Sequence, residues 1–417
     1  MRTSSQGKNN PYGWYIAILS ALFGCVLTAG YPQFSLTLPQ LAEQTGISQE
    51  ALLSGDTVKL MAVVLAMWLS DPCRRRFGLY PTILLGSGFT VIPQFLLPWV
   101  GSLPLFLVLK FLQGLSSIVF PVMMLLMMEW VEERQTGLVT AAFNGIFYGG
   151  GGIGATAASL VLQKWGWIAS YYALGIALAA VTALWLLTVR QREDPAPVKE
   201  HKSETGAALP KLLRQPKVWC LILGFVPTTF AVQAISSDLA LYGSFLGYSE
   251  RQIGGVGSAV TVGMVAACLA SGRCSDFFAG KQKVPGRARV AVLLAGCLLT
   301  AASALGLLAA AGRSISCFQA AALLFSFGGS WGLGVFYSIL PDVFDADTLP
   351  AATGFLGGCG DMMMPIAPTV VGVFFGIRGL WGLGWGTCAV LAALGAAACV
   401  LLLILLRQEP GAKKRIL

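Results

Sequence analysis

Lys59, Lys110, Asp238 and Asp361 stand inside long apolar runs, and Asp56 lies close to the edge of one. An ionised side chain is expensive in such surroundings, so each marks a place where a charge is used. A lysine there suits a carboxylate, and a carboxylate there suits an amine or a proton. Opposite charges brought together offset part of the cost of leaving water, so Lys59 and Asp361 are expected to pair, directly or through a bound solute. Lys59 would take a carboxylate of that solute, and Asp361 an amine or a proton. Polar side chains along the same runs, Gln33, Tyr31, Trp331 and Tyr337, are candidates to line a path; each also serves as an ordinary interhelical hydrogen-bonding group. For Lys110 the competing reading is a side chain that snorkels to a nearby interface, and for Asp238 an exposed residue at a helix end.

The elements that must position these groups follow from composition. The chain has 417 residues, 56% of them hydrophobic and 11% charged. A soluble domain carries about 25% charged residues, so this chain lacks the polar surface to face water, and an all-α integral membrane protein is the expected class. Twelve apolar stretches can each span a bilayer: 14–38, 51–70, 79–100, 104–130, 137–163, 167–189, 217–246, 251–272, 288–311, 315–340, 350–376 and 379–406. At a rise of about 1.5 Å per residue, Lys59 falls about 12 Å from the outer end of its helix and Asp361 about 16 Å from the inner end of its own. The two therefore share a level. Lys110 lies about 9 Å below the outer surface, and Asp238 near the outer mouth.

The net charge of +9 invites a nucleic-acid reading, but the basic residues gather in alternate loops. With the N-terminus inside, Arg2, Lys8, Arg74 to Arg76, Arg134, Arg273, Lys281, Lys283, Arg287, Arg289, Arg407 and Lys413 to Arg415 are all inside. Only Lys164, Arg251, Arg313 and Arg378 are outside. That bias is the positive-inside pattern, and it predicts both termini in the cytoplasm, at the plasma membrane, with the lipid bilayer and no nucleic acid as partner. The interval Arg190 to Lys217 is the one long charged stretch, Pro-interrupted and poor in apolar residues, and it reads as a flexible cytoplasmic linker. The expected organisation is a six-helix half over 1–189, a linker over 190–216 and a second six-helix half over 217–417. The first apolar run shows no cleavage site and is taken as a retained span.

Several chemistries are disfavoured. There is no G-x-x-x-x-G-K-[ST] segment, so ATP is not expected to drive the protein. His201 is the sole histidine, and Cys25, Cys220, Cys268, Cys297, Cys317, Cys359, Cys388 and Cys399 sit in apolar runs without metal-ligand spacing. No metal, cofactor or enzymatic activity is expected. The run Tyr148 to Gly154 lies deep in a span and serves close helix packing better than a phosphate cradle.

The halves repeat. Ser70-Asp71-Pro72-Cys73-Arg74-Arg75-Arg76-Phe77-Gly78 after the second span corresponds to Ser275-Asp276 through Lys281 after the eighth, and Trp130 to Gly137 corresponds to Pro341 to Asp347. Gly272-Arg273-Cys274-Ser275-Asp276 with Gly280-Lys281 resembles the loop signature of the major facilitator superfamily. Asp71 and Arg76-Phe77-Gly78 are a degenerate first copy, with Met67 where a glycine is expected. Lys110-Phe111-Leu112-Gln113-Gly114 is similar to that superfamily's fourth-helix pattern, with Lys for Arg. The resemblance implies two six-helix pseudo-repeat bundles, secondary transport by alternating access, a monomer, and a conformational latch formed by Asp276, Gly272, Arg273, Asp71 and Arg76. Gly30 to Thr37, Gln215 to Trp219 and Phe327 to Gly332 resemble the oxalate/formate antiporter and monocarboxylate transporter group, which implies a small organic anion. The basic residues of that antiporter branch match Cys268 and Gly360 here, which argues against oxalate-like dianions. Proton coupling or exchange would supply the energy, with Asp361 the best placed proton carrier. The alternative is a transporter-like sensor that binds solute without flux.

Overall fold

A computed structural model describes residues 11–191, 212–248, 250–282, 284–376 and 380–408. The expected linker lies almost wholly outside the described residues, as do Arg2, Lys8, Arg378 and the basic tail beyond 408. The apolar runs form helices α1 (Pro11–Thr28), α2 (Gly30–Thr45), α3 (Gln49–Phe77), α4 (Leu79–Leu96), α5 (Leu103–Leu115), α6 (Val119–Trp130), α7 (Thr136–Trp165) and α8 (Trp167–Thr188). The second half contains α9 (Pro216–Phe245), α10 (Glu250–Ala279), α11 (Pro285–Ala310), α12 (Ile315–Val343), α13 (Leu349–Asp361), α14 (Met363–Gly376) and α15 (Trp381–Gln408).

These helices make twelve rods, because three rods are broken along their length: α1–α2 at Ala29, α5–α6 through a 3-10 turn at Ser116–Ile118, and α13–α14 at Met362. Among the described residues nine helical stretches are by themselves long and apolar enough to cross a membrane. The glycine-rich α7, the polar-ended α10 and the broken α13–α14 rod complete the twelve. Two positive-φ glycines, Gly78 (86°) and Gly166 (84°), let α3 turn into α4 and α7 into α8 without a loop.

Two boundaries differ from the sequence expectation. The Asp71–Arg76 stretch is helical, the last turns of α3, and Gly272 to Asp276 belongs to α10. Pro72 does not stop α3, and the chain leaves the helix only at Gly78, where the backbone turns left-handed. The matched stretches are therefore helix ends rather than loops.

Burial shows how the bundles meet. One core contains buried residues from both halves, among them Ile16, Met67, Met123, Phe143, Phe225, Leu293, Tyr337 and Leu402. It occupies the end where α3 turns into α4, α6 into α7, α10 into α11 and α12 into α13. At the opposite end the core splits. Phe34, Leu41, Phe106 and Tyr171 form a cluster within the first half, and Phe230, Tyr242, Phe318, Phe325 and Trp385 one within the second. The halves are thus joined at the end that carries the basic turns and parted at the other.

Candidate functional site

The first-half site lies beside the split. Glycines at 55 and 114 let α3 and α5 approach closely. A methyl on Gly114 would run into the backbone carbonyl of Lys59, and one on Gly55 would meet Phe106 and the stem of Lys110. The approach seals Lys110, which is 1% exposed and forms an ion pair with Asp56 at 2.9 Å. Its ammonium also sits 3.1 Å from the centre of the Phe34 ring, a cation–π contact of the desolvated kind. The snorkelling reading of Lys110 is therefore corrected: the carboxylate of Asp56 and two aromatic rings hold it inside. Lys59 is buried and within electrostatic reach of both Lys110 and Asp56. Two ammonium groups and one carboxylate share this site.

Behind it runs a chain of amides linking four rods. Gln113 Nε2 donates to Gln94 Oε1 at 2.9 Å, Gln94 Nε2 to Gln33 Oε1 at 2.6 Å, and Gln33 Nε2 to Ser170 Oγ at 3.2 Å. Each amide is oriented by the next, so Gln33 is a bracing group. Composition gave no sign of this chain; three glutamines in separate apolar spans were the available signal. Tyr31 lies in α2, its side chain outside the described set.

The second-half site is acidic. Asp361 is 5% exposed at the break between α13 and α14, within electrostatic reach of the buried Tyr337. Asp238, in α9, is 6% exposed, and its Oδ2 has no hydrogen-bond partner. It is a buried group and not the exposed helix-end residue of the competing reading, because aromatic Tyr242 and Trp385 close that end of the bundle. Trp331 does not join either set: its indole faces α11 and donates to the Val292 carbonyl at 3.0 Å. The expected Lys59–Asp361 ion pair is not among those of the described residues. Lys59 lies with Asp56 and Lys110, and Asp361 lies across the split with Tyr337.

At the joined end Asp276, expected as part of a latch, reaches across the seam. Its carboxylate accepts hydrogen bonds from the backbone N–H groups of Gly137 (2.8 Å) and Leu138 (2.7 Å) at the start of α7, in the other half. Arg289 pairs with Asp276 at 3.1 Å and with Asp342 at 3.0 Å, tying α10, α11 and α12 together. Gly272 lies against Gly137 and Ala141 with no room for a methyl. The first-half copy is arranged differently. Asp71 is held within its own helix by Arg74 and Arg75, and Arg75 rather than Arg76 crosses the seam, to the Asp347 carbonyl at 3.3 Å. Arg76 lies over Phe77. Arg289 and Arg75 make contacts at this end that the sequence motifs did not single out.

A family model described as Major Facilitator Superfamily matches residues 16–288. Multidrug resistance protein MdtL of Shigella dysenteriae serotype 1 (strain Sd197) is 20% identical over 384 residues, covering 92% of this chain and 93% of that protein. The MdtL of Shewanella oneidensis is 25% identical over 219 residues, 52% of this chain and 54% of its own. These relatives are multidrug resistance proteins and not members of the oxalate/formate and monocarboxylate group that short stretches of the sequence resemble. Among solved structures, the proton:xylose symporter XylE bound to 6-bromo-6-deoxy-D-glucose superposes with a TM-score of 0.73 at 13% identity, covering 97% of each chain. A variant of the Escherichia coli fucose:proton symporter FucP gives 0.69 at 14%, covering 93% of this chain and 98% of its own.

Proposed function

Because the chain belongs to the Major Facilitator Superfamily, we propose that its secondary transport by alternating access carries a small organic solute bearing a carboxylate. The observation that supports this is the pair of buried lysines beside Asp56, two ammonium groups of the kind that suit a carboxylate. Lys110 is held by Asp56, and Lys59 is the ammonium that meets the solute. Asp361, across the split, takes the solute's amine when it is a zwitterion, or a proton when it is not. The interval 190–216 keeps the halves on one chain, the basic turns face the cytoplasm, and the parted end is the outer mouth. The chain acts as a monomer, each half contributing one wall of the site. Inward and outward states exchange when the Asp276 seam opens.

Uptake of radiolabelled monocarboxylates and amino acids into proteoliposomes, with and without a pH gradient, tests the reading. Wild-type protein should accumulate a carboxylate, Lys59→Ala should not, and Asp361→Asn should lose the gradient dependence while retaining exchange. Carboxylate uptake that survives Lys59→Ala would sink it. A second reading is favoured by the carboxylates Asp238 and Asp361, which suit an amphiphilic cation, in keeping with the multidrug relatives. Efflux of a lipophilic cation without any carboxylate transport would assign that function instead.

A further inference from the structure

A pocket of about 330 Å³ opens at the joined end, lined by Trp14, Arg134, Gln135, Leu138, Arg273, Asp276 and Phe277. It lies where α1, the turn before α7 and the last turns of α10 converge. Arg134 belongs to the first half and Arg273 to the second. Both are exposed, and neither has an ion-pair partner among the described residues. The one acid on the wall, Asp276, is already neutralised: its oxygens take Gly137 N–H, Leu138 N–H and Arg289. Lys281 adds a third cation at the rim, its ammonium 3.8 Å from the centre of the Phe277 ring. Two arginines lining one cavity can offer guanidinium forks that match the tetrahedral oxygens of a phosphate better than a single ammonium would. Trp14 and the exposed Phe277 give the wall aromatic side chains of the kind that meet lipid headgroups.

We propose that this pocket binds a phosphate group, bridging Arg134 and Arg273 across the seam beside the Asp276 latch, with the headgroup of an anionic phospholipid as its source. Basic pockets between spanning helices recognise such headgroups. An occupied site would hold the two halves together at this end and so favour the state seen here. It is separate from the solute site, which lies at the parted end.

The test is native mass spectrometry of the full chain released from bilayers containing phosphatidylglycerol or only phosphatidylcholine. Wild type and the opposite-end control Arg313→Gln should retain phosphatidylglycerol, and Arg134→Gln/Arg273→Gln should retain it about thirtyfold more weakly, each arginine contributing about fivefold. Phosphatidylcholine, whose choline cation opposes the arginines beside the same phosphate, should be retained more weakly than phosphatidylglycerol by wild type. Inorganic phosphate provides the second arm: lipid retention equal in wild type and double variant, together with a phosphate-induced rise in the unfolding midpoint that only wild type shows, would keep the phosphate site and assign a soluble source. Equal lipid retention and equal phosphate response in wild type and double variant would overturn the proposal. Should the double variant fail to fold, the single variants are read the same way, and Arg134→Lys/Arg273→Lys should recover only part of the retention.

Discussion

Asp276 caps a helix that belongs to the other half of the molecule: its two carboxylate oxygens lie 2.8 Å and 2.7 Å from the amide nitrogens of Gly137 and Leu138. The first turn of a helix leaves N–H groups without intrahelical partners, and the residue before it normally supplies the acceptor. Here that residue, Gln135, makes no side-chain cap bond, since its amide oxygen accepts instead from the Trp14 indole at 3.1 Å. The cap of α7 is therefore present only while the seam is closed, which couples helix capping to conformational state.

Asp276→Ala should uncap α7 and favour opening of this end by about 1–2 kcal/mol, the usual worth of a cap. Maleimide labelling of Ala141→Cys on a cysteine-free background reads the change, with labelling five- to thirtyfold faster than without the mutation. Placing an acceptor in cis with Gln135→Asp should restore helix stability but leave the labelling fast. Unchanged labelling in Asp276→Ala would reduce the contact to an incidental one.

Small residues at the seam should be sharply graded by what lies opposite. A methyl at Gly272 meets Ala141 and the Gly137 carbonyl, whereas one at Gly257 on the same helix meets nothing within 4 Å. Overpacking costs about 1–3 kcal/mol, so Gly272→Ala should lower the thermal midpoint and loosen the seam. Gly257→Ala should leave both near wild type. Equal behaviour of the two variants, measured in detergent by tryptophan fluorescence, would contradict the close approach of α7 and α10.

Asp56 and Lys110 should behave as one unit. Asp56→Ala leaves the buried Lys110 ammonium without its carboxylate, a cost of up to about 3–5 kcal/mol, while Lys110→Ala leaves a partly exposed carboxylate still facing Lys59 and should cost less. Asp56→Ala and Lys110→Ala should each reduce the yield of folded protein, and the double substitution should recover yield. Singles and double with equal yields would show that the pair carries no structural load.

The amide chain through Gln94 makes a separate prediction. Gln94→Leu leaves Gln113 Nε2 without its acceptor and Gln33 Oε1 without its donor, each a loss of about 1–3 kcal/mol for a buried group. The variant should unfold at lower temperature, and adding Gln33→Leu should not lower it by the same step again. Fully additive losses would mean that the two glutamines act independently.

Much of the architecture was legible in the residues. Apolar runs too long and too poor in charge for a soluble core dictate spanning helices. The paired motifs around Asp71 and Asp276 announce a duplicated fold, since helices in lipid satisfy their own backbone and leave topology to length and loop charge. The short list of buried ionisable groups was also readable, because a charge inside a span stands out against its neighbours. What the chain alone could not decide was which groups meet. Counting residues put Lys59 and Asp361 at one level, but such counting carries no azimuth; the rotation and kink of each rod put Lys110 on Asp56 and left Asp361 across the split. The two loop motifs look alike in sequence, yet only Asp276 reaches the opposing helix, because Gly272 and Gly137 bring α10 and α7 close enough for a carboxylate to reach two amides. Asp71 is instead held by arginines one turn along its own helix. Spacing along a helix is local, but contact across a seam depends on how closely two backbones pack, and only the tertiary structure decides that.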